Sequence, residues 1–250
     1  MSVALAGGIT CRYFCEMDSK GYVITNKASK FKVNYTRKLQ HFAAYMVPLI
    51  VKYKSSVTGP IEDAWGDWVT LCAFALLIKP LRENSKFLML QFNSLDRPED
   101  RPNTLKWIIA GNILPGLILI IFWRWALSFT GQESLAFIFI FITGIGDGLA
   151  EPVGIAFGKH KYWTMALGSN RKYQRSWEGS CCLFLGSLYF TTMFWYAFEN
   201  QYQFWITMVI LPPLMTYAEA VSPHTMDTPF LMGLGGLVLF LVSHVTFGWR

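Results

Sequence analysis

The chain has 250 residues, of which 53% are hydrophobic, 16% aromatic and only 15% charged. Soluble domains carry roughly 25% charged residues, so this composition excludes an ordinary water-soluble fold and implies a polytopic membrane protein in which one helical bundle is enough. The formal charge of +6 is not a nucleic-acid signal, because the Lys and Arg residues gather in a few loops between apolar runs.

In chain order, MSVALAGGIT lacks a basic flank and is too short in its apolar part for a signal peptide. Residues 1–38 are expected to form a polar N-terminal arm, and residues 39–250 a single transmembrane helical domain. A spanning helix needs roughly 20 largely apolar residues. Candidate spans are 39–56, 65–81, 105–128, 133–150, 179–198, 203–221 and 229–249. The fold class expected is therefore all-α, a polytopic membrane helix bundle of about seven transmembrane helices. Pro48, Pro115 and Pro212-Pro213 predict kinks that neighbouring helices must satisfy. Gly144, Gly146 and Gly148 predict a broken helix near Asp147. The insert 82–106, with its DRPEDRP run, reads as a solvated connector. Cys11 and Cys15 have no matching second pair, and Cys72, Cys181 and Cys182 lie in apolar segments, where Cys packs as a small core residue.

With these spans, Lys plus Arg number 7 in the N-terminal arm, 6 from Lys79 to Lys106 and 5 from Lys159 to Arg175. The opposite side holds Lys52, Lys54 and Arg250, and Arg124 lies within a span. This alternation places the N-terminus on the positive-inside side, cytosolic or its equivalent. Three polar clusters then fall on that same face. They are Arg37, Lys38 and His41; the run from Asp147 to Ser180; and Glu219, His224 and Asp227.

Asp147 and Glu151 lie one turn apart on a helix and share a face. Acids in a membrane segment are costly unless paired or functional. Lys159, Lys161, Arg171, Lys172 and Arg175 can neutralise phosphate charge, with Arg gripping phosphate oxygens by paired hydrogen bonds. Ser176, Glu178, Gly179 and Ser180 open the next helix, whose free N–H groups suit an anion. Glu219 and Asp227 suit a hard cation, and Mg²⁺ takes one or two carboxylates completed by substrate phosphates. No P-loop motif is present, and GIGDGL follows no strand, so it is not a dinucleotide fingerprint.

The ordered motifs resemble the membrane family that includes dolichol kinase, phytol kinase and CTP-dependent diacylglycerol kinase. They are RKLQH (Arg37 to His41), GDGLAEPVGIAFG (Gly146 to Gly158), RSWEGS (Arg175 to Ser180) and EAVSPHTMDTP (Glu219 to Pro229). Asp227-Thr228 stands where the family usually has Asp-Asn, and Glu151-Pro152 is unusual within the second motif. The resemblance implies a Mg²⁺-assisted kinase that moves the γ-phosphate of CTP to the hydroxyl of a membrane lipid alcohol such as phytol, a polyprenol, dolichol or diacylglycerol. In that light Asp147 binds the metal or accepts the alcohol proton, with Glu151, Glu219 and Asp227 as further metal ligands. Arg171, Lys172 and Arg175 hold the triphosphate with Lys159 and Lys161, Ser176 to Ser180 supply donors, and Arg37, Lys38 and His41 close the site from the first helix. A cytidylyltransferase joining CMP to phosphatidate would use the same residue types. An anion or lipid-phosphate transporter would show inverted repeats and a midplane site, and no repeat is visible. The organelle and the oligomeric state stay open.

Overall fold

The computed structural model describes residues 2–24, 31–54 (backbone alone over 46–54), 72–168, 172–223 and 226–246. The chain divides into two compact units, Met1–Ile109 and Ala110–Arg250. Residues 65–71 of the expected second span lie outside the described residues, as do Arg171 and His224.

The first unit contains α1 (Ser2–Phe14), α2 (Val33–Lys54), α3 (Lys79–Asn84) and α4 (Lys86–Asn93). Helix α1 packs on α2 and α4, and Gly8 makes this approach possible, since a Cβ there would lie 1.8 Å from the Leu90 carbonyl oxygen. Cys11 is fully buried with Val23 and Val33, flanked by Cys15, Met17 and Phe31. Both thiols are free. The described part of the expected second span is not one helix. A turn interrupts it over 76–78, where Ile78 is extended and Pro80 opens α3, a position that proline favours because its missing N–H is not needed there. Helix α2 has the length of a span, but Arg37, Lys38, Gln40 and His41 make it more polar than the candidate spans described below.

The DRPEDRP run is not a solvated connector. Asp96 and Asp100 are 0% and 1% exposed. Arg101 Nε donates to Asp96 at 2.7 Å, and Thr104 Oγ1 donates to the same carboxylate at 3.1 Å. Asp100 receives Arg37 at 2.7 Å and Arg97 at 2.8 Å. Buried carboxylates are tolerated only when paired and hydrogen-bonded, and the alternating charges supply those partners locally.

The second unit holds most of three helices long and apolar enough to cross a membrane: α5 (Thr104–Ser128), α6 (Glu133–Phe157) and α8 (Gln201–Val221). Helix α5 begins shortly before the division between the units. Helices α7 (Trp177–Met193) and α9 (Asp227–Ser243) have 17 residues each, about 26 Å at 1.5 Å per residue. The expected fifth span ends early, in a 3₁₀ turn at Trp195–Ala197. Among the described residues three helices are long and apolar enough to cross a membrane, and the expected seven spans are not confirmed.

Helix α6 is the centre of this unit, packing on α5, α7 and α9, with Leu135, Ile138, Phe139 and Ile142 fully buried. Large apolar side chains such as Ile121, Trp125, Trp205 and Val209 are exposed on the outside, while Ser187, Thr191, Gln203 and Thr207 are inside. An apolar exterior of that extent suits lipid rather than water. Helix α9 approaches α5 closely because residue 236 is glycine; a Cβ there would lie 2.2 Å from the Trp123 ring.

One expectation about this unit changes. The helix is not broken near Asp147. Residues Ile142–Asp147 form a π-helical turn inside a continuous α6, a feature often found at functional sites. A second π turn, Trp107–Ile113, lies directly before Pro115, where the wider winding accommodates a ring that would clash in a regular helix. The fold is all-α in class, as expected, with one small β element. Strands β1 (Lys161–Met165) and β2 (Lys172–Ser176) form an antiparallel hairpin with Lys161 opposite Ser176 and Met165 opposite Lys172.

Candidate functional site

Two of the three expected clusters contribute where α6 ends, the hairpin folds and α7 begins: the run from Asp147 to Ser180, and Glu219. Helix α6 runs on to Phe157, beyond the expected limit of 150. Asp147 therefore sits ten residues before the helix end, about 15 Å along its axis. It is buried, at 2% exposure, while Glu151 one turn later is half-buried.

The glycines of the second motif are spacing devices. Gly146, Ala150, Gly154 and Gly158 recur every fourth residue, the small-residue stripe that lets membrane helices approach. A Cβ on Gly146 would lie 2.9 Å from Leu183, and one on Gly154 would lie 2.7 Å from Ser176 Oγ. One on Gly158 would meet the Gly154 carbonyl oxygen at 2.2 Å and Ser176 Cβ at 2.8 Å. On the facing helix, a Cβ on Gly179 would lie 2.8 Å from the Ala150 carbonyl oxygen. GDGLAEPVGIAFG and RSWEGS are thus two halves of one contact.

Ser176 is the N-cap of α7, its Oγ accepting the Gly179 N–H at 3.2 Å. The hydroxyls of Tyr162 and Ser180 share a hydrogen bond. Glu178 folds back over the preceding chain. Its carboxylate accepts the backbone N–H groups of Lys159 at 3.0 Å and His160 at 3.1 Å, and meets His160 Nδ1 at 2.8 Å. Its own backbone N–H, ahead of these contacts, holds the Glu178 carboxyl down to about 2. The residue lies one position ahead of the expected span 179–198. Lys161 Nζ donates to the Gly154 carbonyl at 3.3 Å, a cation matching the C-terminal end of α6.

Arg175 and Glu219, which the sequence assigns to different ligands, pair with each other. Arg175 Nη1 lies 2.7 Å from Glu219 Oε1, and Nη2 donates to the Glu219 backbone oxygen at 3.1 Å. Thr164 Oγ1 donates to the Ala220 carbonyl at 2.7 Å and Leu167 N–H to the Val221 carbonyl at 2.8 Å. The hairpin is therefore pinned to the end of α8. Asp227 opens α9 and accepts the Thr228 N–H at 3.1 Å, an acid where the helix dipole favours one.

Arg37, Lys38 and His41 belong to the first unit. Arg37 is paired with Asp100, Lys38 is buried, and the His41 ring lies 4.8 Å from Tyr45. Among the described residues no three His, Cys, Asp or Glu side chains gather as a metal cage. The acids at hand are oxygen donors, which suit a hard cation completed by phosphate oxygens rather than zinc.

The sequence reading left His160 without a role. Its link to Glu178 spans a hairpin that helix-period reasoning does not reveal. The signal available was the pair of runs KYWTM and KYQRS around a Gly-Ser-Asn turn.

No family model and no solved structure matches the chain. A comparison with curated proteins finds the phytol kinase of Synechocystis sp. (strain ATCC 27184 / PCC 6803 / Kazusa), 26% identical over 199 residues, which cover 79% of this chain and 72% of that protein. The chain resembles a phytol kinase along most of its length, and phytol kinase is one of the families its motifs resemble.

Proposed function

We propose that the protein is a CTP-dependent lipid kinase that phosphorylates the hydroxyl of a membrane lipid alcohol at its positive-inside face. One observation carries this reading beyond the likeness to a phytol kinase. The two most specific motifs meet through Gly154, Gly158, Gly179 and Ser176, so one compact element presents a buried acid, a capped helix start and a cationic hairpin. Phosphoryl transfer asks for positioning and charge neutralisation more than for covalent chemistry, and these are the groups that provide both.

The roles follow from placement. The N–H groups at the start of α7 are already taken, Trp177 by the His160 carbonyl and Gly179 by Ser176 Oγ, so the Arg175 guanidinium receives phosphate oxygens, with Lys159 neutralising charge at the rim. Arg175 also holds Glu219 at the end of α8. Glu151 and Glu219 are the carboxylates offered to Mg²⁺, which supplies further neutralisation of the phosphates. Asp147, desolvated within α6, accepts the proton of the alcohol as its oxygen bonds to the γ-phosphorus and CDP leaves. A shallow, largely apolar groove of about 580 Å³ passes Val153, Cys181 and Leu185, and an aliphatic chain fits such a surface.

The test is incubation of the purified protein with Mg²⁺ and mixed lipid alcohols, in parallel with γ-labelled and α-labelled CTP. Lipid carrying the γ label is the expected product and identifies the alcohol. Lipid carrying the α label means cytidylyl transfer and overturns the proposal.

A further inference from the structure

The β1–β2 hairpin has two unlike faces. Tyr162, Thr164, Tyr173 and Arg175 are half-buried toward the unit, while Lys161, Trp163, Met165, Lys172 and Gln174 are exposed. Trp163 is 66% and Met165 57% exposed, and the register sets Met165 beside Lys172 and Trp163 beside Gln174. Leu167 beyond the end of β1 and Phe157 at the end of α6 are also exposed. From Pro152 to Trp177 the sequence contains no Asp or Glu.

A two-stranded hairpin is marginal on its own in water, and the inner contacts to α8 explain what supports one face. The outer face combines an aromatic ring, a methionine and Lys172, while Lys161 at its other end reaches the Gly154 carbonyl. Trp at the headgroup level and Lys toward anionic headgroups form the pattern of a membrane-surface element. Each Lys near an anionic leaflet contributes about 1 kcal/mol.

We propose that the outer face of this hairpin docks on the anionic headgroup layer of the bilayer in which the protein sits, with Trp163 and Met165 in the interface and Lys172 against lipid phosphates. A nucleotide site would instead require Lys172 to turn toward the side occupied by Arg175. The proposal is separate from the kinase reading, because it concerns Trp163, Met165 and Lys172, which strand alternation turns away from Arg175.

Hydrogen–deuterium exchange of peptides covering 159–176 tests it without any turnover. The full chain is compared in nanodiscs of phosphatidylcholine alone and of phosphatidylcholine with phosphatidylglycerol. Exchange about fivefold slower in the anionic discs is expected, since one lysine contact of about 1 kcal/mol corresponds to about that ratio. Lys172→Glu removes the difference, while Trp163→Ser/Met165→Ser, which keeps the charge, speeds exchange in both discs. Equal exchange of the wild-type hairpin in the two discs overturns the proposal. Protection by CTP in neutral discs, with no response to anionic lipid, also overturns it and assigns Lys172 to the nucleotide.

Discussion

The acids of the DRPEDRP loop and the acid at the start of α7 are surrounded in opposite ways. Asp96 is enclosed, and burial pushes its carboxyl above the usual range, with Arg101 and then Thr104 opposing that push. Glu178 is held low, first by its own backbone N–H and then by His160 and Lys159, with burial contributing in the other direction. The first acid is matched by arginines within its own loop, apart from the link between Arg37 and Asp100. The second collects backbone donors across a hairpin and leaves an exposed histidine at its edge. Full enclosure by arginine marks scaffold. In the proposed site, the half-exposed acid held by backbone donors stands at the mouth where a ligand would arrive.

The largest test of this contrast sets Asp147→Asn beside Asp100→Asn. The first is expected to lower γ-phosphate transfer by at least about a hundredfold with the thermal unfolding profile unchanged. The second strands the Arg37 and Arg97 guanidinium groups around a neutral amide and is expected to cost about 3 kcal/mol of stability, read by thermal unfolding. If both variants lose stability alike, Asp147 is scaffold and the site assignment is wrong.

A glycine series sharpens the same contrast at smaller magnitude. Gly158→Ala places a Cβ 2.8 Å from Ser176 Cβ and Gly179→Ala places one 2.8 Å from the Ala150 carbonyl oxygen, so each is expected to destabilise by about 1–3 kcal/mol through forced separation of α6 and α7. Gly233→Ala in α9 meets nothing within 4 Å and is expected to stabilise by up to about 1 kcal/mol through helix propensity. Equal effects at Gly158 and Gly233 in a denaturation series refute the spacing role.

Membrane character was readable from composition, and three of the expected spans correspond to long apolar helices because uninterrupted apolar runs determine helix length directly. The hairpin is not readable as such: KYWTM and KYQRS are short, lie inside a basic stretch of sequence, and read together as an anion grip. Strand alternation then divides that grip, turning Arg175 inward and Lys161 and Lys172 outward. Spacing alone gave Asp147 and Glu151 a shared face. It misjudged the depth of Asp147, since the glycines that suggested a helix end instead allow a π turn and a close neighbour. The pairing of Arg175 with Glu219 joins positions 44 apart in sequence, beyond what local pattern specifies.

The smallest effect expected concerns pH and the Glu178 clasp alone. Because its carboxyl lies below the ordinary value of 4.5, at about 2, the stabilisation from holding the Lys159 and His160 N–H groups is complete above pH 4.5 and is lost as pH falls toward 2. Amide exchange at these two residues should therefore accelerate over that window in the wild type, beyond the change seen in the rest of the hairpin. Glu178→Gln should show the faster exchange at every pH and no step. A step that survives in Glu178→Gln would place the titrating group elsewhere, and the clasp would then belong with the scaffold contacts of the first unit rather than with the mouth of a site.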